Sequence, residues 1–467
     1  MSILSILSIA AESLKVQQKA IQTTGHNIAN SATPGFARQR VAFSASVPSV
    51  EGEVTLGRGV RIDGIQSVVD KFLEDQLITL NGTLGFTEAE GRALAEAQGA
   101  FPVGVEGGIL GALDSFFGAL SDLSNNPAGQ AERVNLIGKA RILGVTLSQT
   151  RVALVSVQTG MDRELSRVVQ QVNALLPQIA KLNAEISKRE AGGNHADDFR
   201  DQRQILLQEV VRLTGATVFE GPDGQVSVLS GGVLFVSGDR AGSLDDTNLD
   251  SSGFRLIFFQ SPDGLTFDAT ALMNKGEIGG IIKMRDTELP SMIGRLDQLA
   301  KTLVDEVNTQ HALGFDLNGT AGGNFFDPIG VVAGAANNVA VTSAVISDPT
   351  LIASAQVAAG VPGDNRNMLA MINLRDTTFG ALGNTTLKDY FLSLVGDIGA
   401  QTEIVDGRLG FERSLLEQTQ ARRDGVSGVN LGEEMTNLIL FQRAFEAASL
   451  LVRTGDEMYQ AVLEMIR

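Results

Sequence analysis

The chain has 467 residues, 43 % of them hydrophobic, with no Trp, no Cys and 22 Phe. At about 150 residues per domain this length predicts about three domains, with aliphatic and Phe side chains filling the cores. Thirty-seven basic against 54 acidic residues leave a net charge of −17, which argues against a phosphate-binding basic face and suits a self-repelling chain that joins partners only through specific seams. A cytosolic protein can lack Cys by chance, a secreted one usually exploits disulfides, and a chain threaded unfolded through an export channel gains from having no thiols to crosslink.

At the N-terminal end, Ile3, Leu7, Ala10, Leu14, Ile21 and Ile28 step by threes and fours, with Gln17 and Thr24 as polar members of the row. That 3.5-residue repeat predicts a helix with a coiled-coil seam, about 39 Å long from Ile3 to Ile28 at ~1.5 Å per residue. Pro34 and Gly35 stop it. Nothing basic precedes the apolar start, and Ser5 and Ser8 interrupt it, so it does not read as a secretory signal. No apolar run approaches the ~18 residues of a membrane span.

Residues 41–68 read as extended, turn-rich connection with β-prone pieces at Val54-Thr55-Leu56 and Val60-Arg61-Ile62. Helical patterns then run from about 69 to 189, with breaks predicted at Gly82, Gly99 to Gly108 and Asn125-Asn126-Pro127. Their clearest row is Met161, Leu165, Val168, Val172, Leu175, Ile179, Leu182 and Ile186, where Pro177 predicts a kink and Gly192-Gly193-Asn194 an end. Residues 201–213 predict another helix. From Ala216 the period changes to short alternating runs parted by Gly221-Pro222-Asp223-Gly224, Gly231-Gly232 and Ser261-Pro262-Asp263-Gly264, a β module of roughly sixty residues.

Helix resumes over 277–312, followed by a loop over 313–328, a strand over 339–345 and a short helix from Asp348-Pro349. A long helix over 387–423 places Phe391, Val395, Ile398, Val405, Leu409 and Leu416 on one seam. The final row is Leu438, Phe441, Phe445, Ala448, Val452, Gly455, Tyr459, Val462 and Ile466, the C-terminal counterpart of the first helix. Each would be marginal alone, so the two are expected to pair with each other and then with neighbouring copies. The order predicts a mainly α chain with an inserted β module (α+β). We expect elongated, nested domains: residues 1–40 with 430–467 as a terminal coiled-coil assembly domain; 41–214, 276–330 and 365–429 as a helical bundle; 215–275 and 331–364 as an outer β-rich module.

Catalytic signals are weak. His26, His195 and His311 are scattered without paired spacing, and no P-loop, nucleophile elbow or dinucleotide fingerprint occurs. His195 near Asp197 and Asp198 reads as a solvated loop. Asp316, Asn318, Thr320 and Asp327 fall at EF-hand-like positions, but Ala321 replaces the required Gly, so a turn closed by Asx side chains is expected. Glu433-Glu434 would face different sides of a helix and suit its N-terminal dipole. No catalytic, cofactor-binding or metal-ligating residue is assigned, and no cofactor. For Asn30 and Thr33, local caps and an inter-subunit contact are equally open readings. Phe441, Phe445 and Tyr459 form an aromatic stripe read as an intermolecular surface.

Asn27-Ile28-Ala29-Asn30 with Thr33-Pro34-Gly35-Phe36 and Arg38-Gln39-Arg40 resembles the N-terminal signature of the bacterial flagellar rod, hook and hook-associated proteins. Gly428-Val429-Asn430-Leu431, Glu433-Glu434-Met435, Asn437-Leu438 and Phe441-Gln442-Arg443-Ala444-Phe445 resemble that family's closing motif. Middle patterns of the hook–filament junction members are similar to Phe199-Arg200-Asp201-Gln202-Arg203, to Gly276-Glu277-Ile278-Gly279-Gly280 with Arg285-Asp286, and to Val307-Asn308, His311, Gly314, Asp316-Leu317, Gly319 and Phe325-Phe326. The resemblance implies a structural, non-enzymatic protein of the flagellum that self-assembles in the filament axis as a ring. It implies hook protein and a second junction protein as neighbours, and an export chaperone on the C-terminal helix. It also implies export by the flagellar type III route without a cleaved signal, to an extracellular place at the hook–filament junction, with no nucleic acid and no membrane insertion. A hook or rod subunit, a secreted glycan-acting enzyme and a surface adhesin are the rival readings.

Overall fold

The computed structural model describes residues 3–51, 54–101, 108–192 and 195–465. Helix α1 (Ile3–Ala29) opens the chain and ends before the Pro34–Gly35 turn, where Gly35 takes φ +77°. Strands β1 (Gln39–Ala45) and β4 (Val60–Ser67) pair antiparallel, enclosing the short hairpin β2 (Ser49–Glu51) and β3 (Val54–Leu56). Four helices follow. α2 (Lys71–Gly99) starts under the Asp70 carboxylate, which accepts from the Phe72 and Leu73 N–H groups. α3 (Ile109–Asn125), α4 (Gln130–Glu190) and α5 (Asp197–Thr214) come next.

The inserted module contains two antiparallel sheets. β5 (Thr217–Glu220), β6 (Val226–Ser230), β7 (Val233–Ser237) and β8 (Arg240–Ala241) form a meander, while β9 (Ser243–Asp245), β10 (Phe258–Gln260) and β11 (Thr266–Asp268) form a second sheet with β10 in the middle. The chain returns through α6 (Gly276–Lys283), a π turn at Met284–Glu288 and α7 (Leu289–Ala312). α8 (Ser343–Ser347), α9 (Arg366–Asn373), α10 (Leu387–Ser427) and α11 (Leu431–Met465) complete it.

The spine is α4, a single helix of 61 residues. Met161, Leu165, Val168, Val172, Ile179 and Ile186 are all buried along it, and their spacing lets one stripe face the core over many turns. The helix runs unbroken through Pro177, which lies on its exposed side. α3, α5 and α7 pack on α4, α2 packs on α5, α6 and α10, and β7, β8 and β9 rest on α4. The β module enters and leaves at one point. Gly215 (φ +61°) and Gly276 (φ +63°) lie back to back, and a Cβ on either would strike the other's backbone, so only glycine fits both. Beside this crossing, the buried Glu277 carboxylate accepts from Arg92 at 2.8 Å, Arg167 at 3.3 Å and Arg212 at 2.7 Å, tying α6 to α2, α4 and α5.

Four expectations are corrected. Gly82 does not break α2, because its bare backbone admits Val211 and Gly215 of the crossing helix end. The strand over 339–345 is one isolated bridge, Phe326 to Val341, followed by α8 capped by the Thr342 hydroxyl. Its buried valines pack on helices, with Val339 against Gly144 of α4, so the β-like alternation there reports burial and no ladder. Residues 331–364 contain no strand among the described residues, and their short helical turns pack on α4 and α7, away from the β module. The β1–β4 hairpin, grouped above with the bundle, packs on α1.

Gly144 and Gly118 offer a paired test of this packing. A Cβ at Gly144 would meet the Val339 carbonyl oxygen, whereas at Gly118 it would meet open space. Gly144→Ala is expected to lower unfolding free energy by about 1–3 kcal/mol despite its better helix propensity, and Gly118→Ala to raise it by up to ~1 kcal/mol. Urea denaturation of both variants checks the pair; equal shifts of the same sign would contradict it.

Candidate assembly surface

α1 and α11 lie side by side and antiparallel, since Leu7 covers Gly455 at one end and Asn27 meets Glu434 at the other. Of the seam expected on α1, Ala10 is fully buried, Leu7, Leu14, Ile21 and Ile28 are half-buried, and the Ile3 side chain lies outside the described residues. The sequence reading missed a second seam. Ile9, Ser13, Val16, Ala20, Thr23 and Asn27 also step by fours and threes, with the last four buried. Ile9 lies against Gly59 and Asn27 is bonded to Gln39, so this face meets the hairpin. Its signal was present in the spacing but diluted by the polar Ser13, Thr23 and Asn27.

On α11, Ala448 and Gly455 are buried, while Leu438, Phe441 and Val452 are half-buried. Phe441 also packs edge-on against Phe43 of β1, with ring centroids 6.2 Å apart. Gly455 is a point of close approach between the two helices. A Cβ there would sit 2.7 Å from Leu7 Cδ2, so its smallness sets how closely α1 approaches. Phe445, Tyr459 and Val462 remain exposed, and Ile466 lies outside the described residues. The same helix exposes Leu431, Met435, Ile439, Leu440, Leu450, Leu451, Met458 and Leu463. α1 covers one face of α11 and leaves the rest of its apolar surface bare.

The base of this helix pair is a buried polar joint. The Asn27 amide oxygen accepts from Gln39 N–H at 2.9 Å, and its amide nitrogen donates to Gln39 C=O at 2.8 Å and to Glu434 at 3.1 Å. Arg38 donates to Glu433 and Glu434, 2.7 Å in each case. Both members of the acidic pair are therefore engaged by one guanidinium. Asn430 caps α11 through the Gly432 and Glu433 N–H groups.

Asn30, Thr33 and Phe36 of the N-terminal motif make local contacts. Asn30 donates to the His26 carbonyl, and the Thr33 hydroxyl donates to Asn30; Phe36 stacks edge-on against His26. Ala29, Thr33 and Pro34 are exposed, Ile28 half-buried. The 30–36 turn and the α10–α11 junction line an open cleft of about 800 Å³.

The N-terminal end of α5 anchors the joint to the body. Asp201 accepts from Ala37 N–H at 2.9 Å, Asp197 from Ser67 N–H at 3.1 Å, and Asp198 from the Gln39 side chain at 2.7 Å. Asp198 also lies 3.2 Å from His26 Nε2. From α10, Arg423 donates to Glu74 at 2.9 Å and to the Gly35 carbonyl at 2.8 Å. The acids beside His195 are thus spent on the hairpin, and no cluster suited to a metal ion is found among the described residues. Asp316 closes its loop as an Asx turn, accepting from Asn318 and Thr320 N–H. His311 is buried between the Gly323 carbonyl and the Ala353 N–H, and burial pulls its pKa down, so it serves the core as a neutral ring.

Burial raises the Asp201 carboxyl from 3.8 to about 7, against the pull of the Ala37 N–H and Arg423. An unfolded chain holds this group at its ordinary value, so proton binding favours the fold. Its contribution is complete below about pH 4 and is lost as pH rises toward 7. Asp201→Asn keeps an acceptor for Ala37 and cannot ionise. Across pH 4–7 the unfolding free energy of the parent chain should fall by at least about 1 kcal/mol relative to this variant, measured by urea titration at stepped pH. Parallel curves throughout would refute the burial account.

Residues 97–326 match the family described as the flagellar hook-associated protein FlgK helical domain. Residues 425–465 match the C-terminal segment of flagellar basal body rod FlgEFG proteins. The flagellar hook-associated protein 1 of Bacillus subtilis (strain 168) is 28 % identical over 98 % of this chain and 97 % of its own length. That of Escherichia coli (strain K12) is 24 % identical over 99 % of this chain and its whole length. The solved flagellar hook junction protein FlgK from Burkholderia pseudomallei shares the fold, with a TM-score of 0.65 over 76 % of this chain and all of its own, at 16 % identity. A helical-domain match, a C-terminal match and end-to-end relatives agree: this chain is similar along its whole length to flagellar hook-associated protein 1 (FlgK).

Proposed function

We propose that this chain is a structural subunit of the bacterial flagellum at the junction of hook and filament, with no catalytic role. Its copies join through the α1–α11 pair. The observation that carries this reading is the apolar face that α11 leaves uncovered after α1 has packed on it, from Leu431 and Met435 to Met458 and Leu463. So much bare apolar surface on one helix is typical of a contact site. Burying it against another copy supplies free energy that a single chain lacks, so assembly stabilises the terminal helices by mass action.

In this reading the assembly seam runs through Ile3, Leu7, Ala10, Leu14, Ile21 and Ile28 on one helix and Leu438, Phe441, Phe445, Val452, Tyr459, Val462 and Ile466 on the other. Hook protein and a second junction protein flank the ring, and an export chaperone masks α11 before the chain leaves the cell by the flagellar type III route. The similarity to FlgK supports these partners and this location. Glu433 and Glu434, the carboxylate pair a glycan-acting enzyme would need, are bound to Arg38, which supports a role in holding the joint.

Ile439→Glu with Leu450→Glu tests the reading. Both side chains are more than half exposed, so stability of the purified chain should change by less than about 0.5 kcal/mol. In cells lacking their own junction protein, the variant should fail to restore filaments and swimming. Normal filaments at normal export levels would overturn the proposal.

A further inference from the structure

Two apolar stripes on the body of the molecule cover nothing. On α4, Val134, Gly138, Ile142, Val145, Gln149 and Val152 step by fours and threes, and the four aliphatic side chains are each more than half exposed. On α10, Leu392, Gly396, Ala400, Ile404, Gly407 and Phe411 do the same, with Ile404 and Phe411 each 68 % exposed. The core-facing residues Phe391, Leu394, Ile398 and Val405 already bury the inner side of α10, so its outer stripe has no role within the chain. A helix apolar on two faces has two neighbours to satisfy. The stripes lie on different helices with different neighbours: α10 packs on α2 and α7, while α4 packs on α3, α5 and α7.

Their charges are opposite. From Arg133 to Met161 the sequence of α4 holds no acidic residue, and its half-buried Lys139 and exposed Arg141 have no partner among the described residues. Beside the α10 stripe, Glu403, Asp406 and Glu417 are likewise unpartnered, whereas Arg408 and Arg413 are turned inward to Glu90 and Glu88 of α2. Over residues 134–152 the free charges of α4 are basic, and over residues 392–411 those of α10 are acidic, with Lys388 a cation just ahead of that stretch, on a chain whose net charge of −17 would otherwise keep copies apart. Gly138 on one stripe, and Gly396 and Gly407 on the other, have open space where a Cβ would stand, which permits close approach of two helices.

We propose that the acidic flank of α10 docks on the basic flank of α4 in the next copy of this chain. The contact is heterologous, joining two different surfaces, and repetition of such a contact closes a ring or winds a helix. It rests on the reading that the chain assembles with its own copies, and adds a lateral body-to-body contact outside the terminal helices. Charge sets the pairing and its direction, and the apolar stripes supply the buried area.

Because the chain has no cysteine, single engineered thiols report the contact cleanly. Cells are made to express two full-length variants together, one with Cys at position 142 or 145 (Ile142→Cys, Val145→Cys), the other at 404 or 411 (Ile404→Cys, Phe411→Cys). Flagella sheared from these cells and oxidised should yield a cross-linked dimer in at least one of the four mixed pairings, and none when either variant is expressed alone. Dimers from a single variant alone, or none in any pairing, would overturn the proposal. Independently, Lys139→Glu with Arg141→Glu should abolish filaments, and adding Glu403→Lys with Asp406→Lys should restore them, with thermal melts of the purified chains unchanged. If these charge reversals assemble normally while the α11 variants do not, the flank contact is wrong and the terminal-helix reading stands.

Discussion

The side-chain amide of Asn27 is the interaction on which the rest of this molecule depends. It satisfies both backbone groups of Gln39 and also reaches Glu434, joining the first helix, the hairpin after it and the last helix at one buried point. A buried amide is favourable only with nearly all its bonds made, and here three are made to two distant parts of the chain. Arg38 then closes the acidic side of the joint. Leaving either Glu434 or Asn27 without its partner would strand a buried polar group, so the geometry of the helix pair is sharply defined at its base.

The joint is held to the body by backbone donors rather than by apolar packing alone. Ala37 and Ser67, on the two strands' flanks, give their N–H groups to carboxylates on one helical turn, and acidic groups there also suit the positive end of the α5 dipole. A comparable device fixes the β module, where three guanidinium groups converge on the buried Glu277 next to the Gly215–Gly276 crossing. Both anchors put charge where several helices meet, and both are satisfied by partners from at least three elements. Apolar packing along α4 supplies bulk stability; the charged nodes decide which elements meet.

The distribution of surface follows the function. An acidic chain remains dispersed, yet α11 and the outer stripes of α4 and α10 keep aliphatic side chains in water. Within one molecule those residues lower no energy. In the proposed assembly, neighbouring copies would cover them.

Much of the architecture was legible in the sequence. The period of the apolar residues announced α1, α4, α10 and α11, the change of period at Ala216 announced the β module, and Gly-rich turns marked its strands. These features are local, set by helix and strand periodicity and by backbone freedom, so neighbouring residues carry them. The interior of the joint was not legible. Asn27 belonged to a recognisable motif, but its partners lie twelve and about four hundred residues away, and no spacing rule links them. Gly82 looked like a helix break and, like Gly455, is a point of close approach, and the valines near 341 looked like a strand because burial on helices also alternates. By itself the sequence determined which segments are helix or strand and which faces are apolar. Only the tertiary structure decided which of those faces are covered within one chain and which are left for another, because coverage depends on atoms far apart in sequence and close in space.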